Sequence, residues 1–199
     1  MGNTTRRAGV TVVATAMLLA IPLQAQAKST ANSGTGSRTT TIQVHAHYTE
    51  PAGDLGATCL LVVTPDCRLR YVGKATFTGT MWGPETFDLQ SNDEGIATKD
   101  GHITYEGHGT ITGGVVGCGT GSYTLEGAGY VDMSQFNPVT QSAPGYNTWR
   151  LRPGSGTGQL TNLVSGQGVN NWTYYPVGKN GDPNQSGEGD FTGTITCRT

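Results

Sequence analysis

The sequence has few charged residues and no excess of basic ones. Lysine, arginine, aspartate and glutamate make up 13% of the 199 residues, and the formal net charge is −2. Because nucleic-acid-binding domains are usually basic, we expect no nucleic-acid partner. The low charged fraction also argues against the highly charged kind of disordered chain. The 31 glycines follow no collagen period, which excludes a triple helix.

The motifs of several common enzyme classes are missing. No glycine-rich stretch continues into the lysine of a phosphate-binding loop. Gly154-Ser155-Gly156 lacks the G-x-S-x-G pattern that carries a hydrolase serine. No pair of cysteines has the C-x2-C spacing typical of zinc sites. We therefore predict no catalytic residue, no metal and no cofactor, and favour a protein without enzymatic activity.

Only one apolar run approaches the length of a membrane span. It covers residues 8–23, follows two arginines and precedes an Ala-x-Ala pattern that ends at Ala27. This order predicts a secretory signal peptide over 1–27. A membrane anchor is the alternative, but the run is shorter than the ~20 residues that a spanning helix needs. We expect a secreted, extracellular protein with no membrane span.

The four cysteines fit an extracellular protein, in which an even number usually forms disulfides. They are Cys59, Cys67, Cys118 and Cys197. Three connectivities are possible, and we favour Cys59–Cys67 and Cys118–Cys197. The second disulfide would close a loop of about 80 residues, which stabilises a fold by about 4–5 kcal/mol in the chain-entropy description.

Apolar and polar residues alternate along several segments of the chain, as they do in half-buried strands. The clearest are 39–48, 102–112 and 122–132, and we also expect single strands over 74–82 and 158–163. No window shows a sustained helical period. The alternation therefore predicts an all-β fold.

Glycines inside the predicted strands favour a closed barrel over a sandwich. Glycine normally weakens a strand, so its repeated use indicates tight coiling or close approach of neighbouring backbones. Residues 28–38 are rich in serine, threonine and glycine, and we expect a flexible leader there. The remaining chain, 39–199, is predicted to form a single secreted domain.

Three glycine-rich stretches carry a family resemblance. They are Gly121-Ser122-Tyr123-Thr124-Leu125-Glu126, the segment 154–160, and the last strand over 187–193. The pattern resembles secreted bacterial proteins, themselves of uncharacterised function, with an allene-oxide-cyclase-like, or lipocalin-like, barrel. The likeness covers roughly 73–197. It implies a small antiparallel barrel of about eight strands, to which this chain adds an N-terminal strand or hairpin.

Enzymes with related barrels bind an apolar substrate and direct its ring closure through the shape of the pocket. The resemblance therefore implies a pocket for a small apolar molecule. No polar residue of the cyclase cavity can be matched to a position in this sequence, so no catalytic role is carried over.

The residues predicted to point into the barrel are mostly aromatic. A gap among them would form an apolar pocket, and the alternative is a filled core. Trp172, Tyr174 and Tyr175 would either gate such a pocket or form an exposed aromatic patch. The predicted ligand-binding set is Phe77, Met81, Tyr105, Tyr123, Trp149 and Phe191.

Histidines recur at spacings of two and more on two strands. His45 and His47 share one strand face, and His102 and His108 share another with Glu106. Such spacing suits metal ligands. However, both faces are polar and point outward from a barrel with an apolar interior, so we expect solvated histidines and no metal. By the same alternation, we expect no carboxylate to point inward.

Three functions follow from these observations. The first is binding of a small apolar or aromatic ligand without catalysis. The second is a cyclase-like isomerase, without a metal, acting on a polyketide- or lipid-derived substrate; an acid or amide pointing into the barrel mouth would favour it. The third is a non-catalytic interaction protein of the cell envelope. The oligomeric state does not follow from the sequence.

Overall fold

The computed structural model describes residues 30–32, 36–50, 70–91, 101–176, 179 and 185–199. The predicted signal peptide and the predicted Cys59–Cys67 disulfide lie outside these ranges. Within them, two short 3-10 helices cover Met133–Gln135 and Gly158–Asn162. The strands are β1 (Thr30–Asn32), β2 (Ser37–Glu50), β3 (Arg70–Gly79), β4 (Met81–Ser91), β5 (His102–Val115), β6 (Gly119–Asp132), β7 (Ala143–Leu151), β8 (Leu163–Tyr175) and β9 (Gln185–Arg198).

The strands form one closed antiparallel barrel. Each strand pairs with the next one along the chain, and β2 also pairs with β9 from Ser37↔Arg198 to Glu50↔Gln185. Strands β2–β9 therefore make an up-and-down barrel of eight strands, which closes the sheet and removes its edges. The short strand β1 adds to β2, with Thr30 opposite Thr39. The all-β prediction and the small antiparallel barrel of about eight strands are confirmed. The predicted strand over 39–48 is part of β2 and belongs to the barrel itself.

Two expected segments differ from the structure near the start of the chain and near its middle. β1 and the first residues of β2 lie inside 28–38, where we expected a flexible leader. The segment 74–82 is two strands joined at Thr80 rather than one. Gly79 makes this turn possible, since its φ of +131° suits glycine and a Cβ there would overlap the carbonyl oxygen of Gln43.

One end of the barrel is filled. Alternate residues of β2 point inward, as predicted for 39–48, and they meet a set of fully buried side chains from the other strands. Leu160 completes this packing. It comes from the 3-10 helix Gly158–Asn162, where we expected a strand over 158–163. The largest fully buried apolar side chains are Ile42, Phe77, Met81, Ile111, Val115, Tyr123, Leu160 and Ile195.

A disulfide joins the chain at this filled end. Cys118 lies in the β5–β6 turn and bonds to Cys197 near the end of β9, with the two Cα atoms 5.8 Å apart. The predicted Cys118–Cys197 pairing is therefore confirmed. Asn162 adds to the connection, since its Nδ2 donates hydrogen bonds to the carbonyl oxygens of Cys118 and Arg198.

Neither helix of the described ranges could cross a membrane, since they contain only three and five residues. The elements that matter for the site are the strands. The end of the barrel opposite the disulfide contains one end of each barrel strand. It holds the carboxyl ends of β2, β4, β6 and β8 and the amino ends of the other four. This end is called the hollow end below.

Candidate functional site

A cavity of about 80 Å³ enters the barrel at the hollow end. Its wall is mainly aromatic, which is typical of small-molecule sites, and a few polar groups interrupt it. The side chains that define it come from seven of the eight barrel strands, because every strand presents alternate residues to the interior. They include Tyr48, Glu85, Phe87, Tyr105, Asn147, Trp149, Asn170, Trp172 and Phe191.

The six predicted lining residues divide between the two ends of the barrel. Tyr105, Trp149 and Phe191 line the cavity. Phe77, Met81 and Tyr123 are fully buried in the filled end instead. The two groups meet where the rings of Phe77 and Phe191 pack with centroids 4.9 Å apart. Both predicted alternatives, a pocket and a filled core, are thus present, one at each end.

Glu85 points into the barrel, against our expectation that no carboxylate would do so. It lies on β4 opposite Ile111, shares the inward face of Phe87, and is 8% exposed. Burial raises the pKa of its carboxyl to about 8. No described residue forms a hydrogen bond or ion pair with it. At neutral pH the group is therefore an uncharged acid in an apolar setting.

The inward position of Glu85 depends on a glycine of the neighbouring strand. Gly109 faces the interior from β5, and a Cβ at that position would overlap the Oε1 atom of Glu85. Glycine there leaves room for the carboxyl beside the β5 backbone. This explains one of the strand glycines that favoured a barrel over a sandwich.

A network of amides and hydroxyls forms the second polar part of the wall. The Nδ2 of Asn170 donates to the hydroxyl of Tyr48 at 2.8 Å and to the Oδ1 of Asn147 at 2.9 Å. Tyr105 also donates to this Oδ1, at 3.4 Å. Asn170 is 1% exposed, and its own Oδ1 has no partner among the described residues. An unpaired buried acceptor is costly, so it can receive a donor from a ligand.

The tyrosine hydroxyls of this wall stay protonated. Burial is the main cause that raises the pKa of Tyr48 well above its ordinary value, and the nearby carboxyl of Glu85 adds to the rise. Burial likewise raises the pKa of Tyr123 in the filled end, with the same contribution from Glu85. Since both hydroxyls are neutral, Glu85 is the acidic group of the interior that titrates nearest to neutral pH.

Trp172 lies inside the hollow end rather than in an exposed patch. Its ring contacts Tyr48, Tyr105 and Tyr174, with centroids 5.8, 6.0 and 5.9 Å away. It packs over Gly145, where a Cβ would overlap the indole ring. Its Nε1 is buried without a partner among the described residues. Of the predicted aromatic group, Trp172 and Tyr174 line the pocket, whereas Tyr175 does not and instead lies beneath the Nζ of Lys179, 5.6 Å from its ring centroid.

The histidines of the outer surface lie far apart in the barrel order. His45 and His47 are on β2, next to Asp190 at 3.0 Å and Glu188 at 3.7 Å on β9. His102 and His108 are on β5, which does not neighbour β2. Across the described ranges, no three histidine, cysteine, aspartate or glutamate side chains come close enough to hold a metal ion.

The carboxylates predicted to face outward are exposed or paired with arginine. Glu106 is exposed. Asp88 pairs with Arg70, and Glu126 pairs with Arg150 and Arg152. Hydrogen bonds from these guanidinium groups lower the pKa values of both carboxyls. They are therefore ionised over the whole neutral range, in contrast to Glu85.

The fold and the cavity define a class, a closed eight-stranded antiparallel β-barrel that is filled at one end and hollow at the other. No protein-family model matches this chain, and no curated protein matches it. The barrel alone gives no evidence for the allene-oxide-cyclase-like family, so that resemblance stays a prediction.

The sequence contained one unused signal for this site. Glu85, Phe87 and Leu89 alternate with Thr86 and Asp88, so a strand beginning at Glu85 places its carboxyl on the apolar face. The network around Asn170 had no comparable signal, because its members come from four strands whose register the sequence does not specify.

Proposed function

We propose that this is an exported protein that binds a small apolar or aromatic molecule in the hollow end of its barrel. The observation that carries the proposal is the aromatic cavity itself, which lies beside a fully packed core in the same barrel. A barrel needs no such gap for stability, since filled interiors of this size are common.

The size of the cavity limits what enters it. Its volume of about 80 Å³ exceeds that needed for a water molecule. It is smaller than the ~150 Å³ apolar cavity that accepts benzene in an engineered protein. A second depression of about 50 Å³, lined by Tyr71, Ile103 and Val131, adjoins it and shares Trp172 with it. We therefore propose a ligand that inserts one small group into the barrel and keeps its larger apolar part at the mouth.

Export is part of the proposal and rests on the segment 1–27 and on the Cys118–Cys197 disulfide, which is of the kind found in oxidising compartments. Both parts can be tested on protein recovered from culture medium by native and denaturing mass spectrometry. We expect a chain that begins at Lys28 and a bound molecule that leaves on denaturation. An intact amino terminus would contradict export by a cleaved signal peptide.

A direct binding test uses a neutral aromatic probe with one compact side group, such as neopentylbenzene, in isothermal titration. Trp172→Ala should weaken binding by about tenfold, in the range seen for buried aromatic contacts. Trp82→Ala is the matched control, since Trp82 is 44% exposed on the outer face. Equal binding by both variants and the wild type, or no binding by any aromatic probe, neutral or cationic, would overturn the proposal.

We propose a cyclase-like isomerase as the second candidate, because Glu85 and Asn170 are an acid and an amide in the wall of the barrel cavity. A protonated carboxyl in an apolar pocket is suited to general acid catalysis. Glu85 would donate its proton to an oxygen atom of the substrate as the bond between that oxygen and carbon breaks, and its carboxylate would take a proton back from the same molecule once the new ring bond has formed. Asn170 would orient that substrate.

The two candidates differ in what a Glu85→Gln variant retains. If the protein is an isomerase, the variant should carry a molecule of the same mass as that on the wild type but with a different structure. Chromatography of the extracted molecules against each other would separate such isomers. Identical molecules on both proteins would contradict the isomerase and leave the binding function.

A further inference from the structure

We propose that the group inserted into the barrel is a small organic cation, and that Glu85 is its counter-ion. The ligand class is then an apolar or aromatic molecule that carries an alkylammonium group. This inference rests on the proposed function, since it takes the same cavity as the binding site. It adds the charge of the ligand, which the proposed function leaves open.

Among the described residues, Glu85 has no lysine or arginine beside it, whereas other partly buried carboxylates of the barrel do. Asp88 pairs with Arg70, and Glu188 pairs with Lys179 at 2.8 Å. In the described part of the cavity wall, no lysine or arginine is present. A buried acid without a protein cation is unfavourable to ionise unless a cation is supplied from outside. A ligand that carries a positive charge would supply the cation that this carboxyl needs in order to ionise.

The aromatic wall suits the same kind of group. Trp172 is in ring contact with Tyr48, Tyr105 and Tyr174 at the hollow end, at centroid distances of about 6 Å. Aromatic faces carry negative charge density and attract ammonium groups, most strongly where water is excluded. A set of rings around one carboxylate is therefore a cation-binding arrangement as well as an apolar one.

The two depressions match the two parts of such a ligand. The deeper one, of about 80 Å³, adjoins Glu85 and accommodates a compact head group. The shallower one, of about 50 Å³, is lined by apolar and tyrosine side chains alone among the described residues. An ammonium group in the first, with the edge of a hydrocarbon chain or ring resting in the second, would contact both.

We assign the charge change on binding to Glu85. Tyr48 from β2 and Tyr123 from β6 face it, and burial keeps both neutral. The cavity wall also contains Tyr105 and His108 from β5 and Glu126 from β6, and Glu126 is already an ionised carboxylate paired with Arg150 and Arg152. When a cation enters at neutral pH, Glu85 releases its proton to the solvent and becomes the carboxylate of the pair. Binding of a permanent cation therefore releases about one proton, and it strengthens as the pH rises through the pKa of about 8.

A pair of probes of equal shape tests the charge. Benzyltrimethylammonium carries a permanent positive charge, and neopentylbenzene replaces its nitrogen with carbon. Titration at pH 6 and pH 9, followed by tryptophan fluorescence, should show the cation binding at least about tenfold more tightly at pH 9, because Glu85 is ionised there. The neutral probe should bind equally at both pH values.

Two variants assign the effect. Glu85→Gln should remove the preference for the cation, whereas Glu106→Gln, an exposed carboxylate on the outer face of β5, should keep it. Cation binding that is unchanged in Glu85→Gln would overturn the inference, since the charge would then be held elsewhere. Calorimetry of the wild type in buffers of different ionisation enthalpy gives the released proton directly and needs no variant; absence of release would overturn the inference too.

The outcomes separate this inference from the proposed function. If neopentylbenzene binds and benzyltrimethylammonium does not, the cation inference is wrong and the apolar binding site stands. If neither probe binds at either pH, the binding function itself is contradicted.

Discussion

Replacing Glu85 by glutamine should stabilise the protein in alkaline solution, by an amount that depends on pH. In the folded barrel the carboxyl keeps its proton up to about pH 8, whereas its ordinary pKa is 4.5. Between pH 4.5 and about pH 8, Glu85 is therefore protonated in the folded protein and mostly ionised in the unfolded chain, so the folded state binds more protons. The contribution of Glu85 to the free energy of unfolding therefore falls as the pH rises from 4.5 to 8, and it is constant outside this window.

The size of the effect follows from the two pKa values. Their difference corresponds to about 5 kcal/mol, at ~1.4 kcal/mol for each tenfold change in proton affinity. Glutamine has nearly the same shape and no charge. Relative to the wild type, Glu85→Gln should thus gain up to about 5 kcal/mol of stability between pH 4 and pH 9, a large share of the total for a domain of this size.

Urea denaturation at pH 4, 6.5 and 9 measures this gain. The exposed carboxylate variant Glu106→Gln is the control and should follow the wild type at every pH. Apart from the substituted side chain, the ionisable groups are the same in all three proteins, so their contributions cancel in the differences. If the wild type and Glu85→Gln keep a constant difference in free energy of unfolding from pH 4 to pH 9, the carboxyl is not held in a low-dielectric interior and our reasoning about it fails.

Three other substitutions test the packing around the site and the filled end. Gly109→Ala should destabilise the fold by about 1–3 kcal/mol, because the added methyl overlaps the buried carboxyl; the cost should shrink when that carboxyl is also removed. Asn170→Ala breaks two buried hydrogen bonds and should cost about 2–3 kcal/mol, while the exposed neighbour Asn171→Ala should cost little. Replacing Cys118 and Cys197 by alanine should cost about 4 kcal/mol. Urea denaturation measures the free energy of unfolding of each variant. A loss below ~0.5 kcal/mol for Gly109→Ala, for Asn170→Ala or for the cysteine variant would contradict the contacts described.

Much of the barrel could be predicted from local alternation. The face that contains Ile42 and Val44 is buried as expected. In a half-buried strand, alternation with a period of two places all the apolar side chains on one face, and that face must be the buried one. The pairing of Cys118 with Cys197 was also favoured from the sequence among three connectivities, as a link between the middle of the chain and the last strand, although Cys118 lies in a turn rather than in a strand. Lys74–Trp82 was harder, because the alternation continues through the turn at Thr80 with Met81 still inward.

The division of the barrel into a filled and a hollow end could not be predicted. It depends on how far along each strand an inward residue lies, and hence on the stagger between neighbouring strands. Phe77 and Phe191 are both inward aromatics of the buried core, yet only Phe191 also lines the cavity. Leu160 is unpredictable for another reason, because a short 3-10 helix rather than a strand brings it into the core.

The position of the Cys118–Cys197 bond separates two kinds of motion. It fixes the turn between β5 and β6 to the end of β9, beside the side chains that fill the barrel. Opening of the hollow end needs only a local change in a few aromatic side chains, whereas opening of the stapled end requires the whole core to separate. Amide protons should therefore exchange with solvent through local fluctuations around Trp172 and only through global unfolding around Ile195. Local opening of the hollow end therefore leaves the disulfide-linked core of the barrel folded.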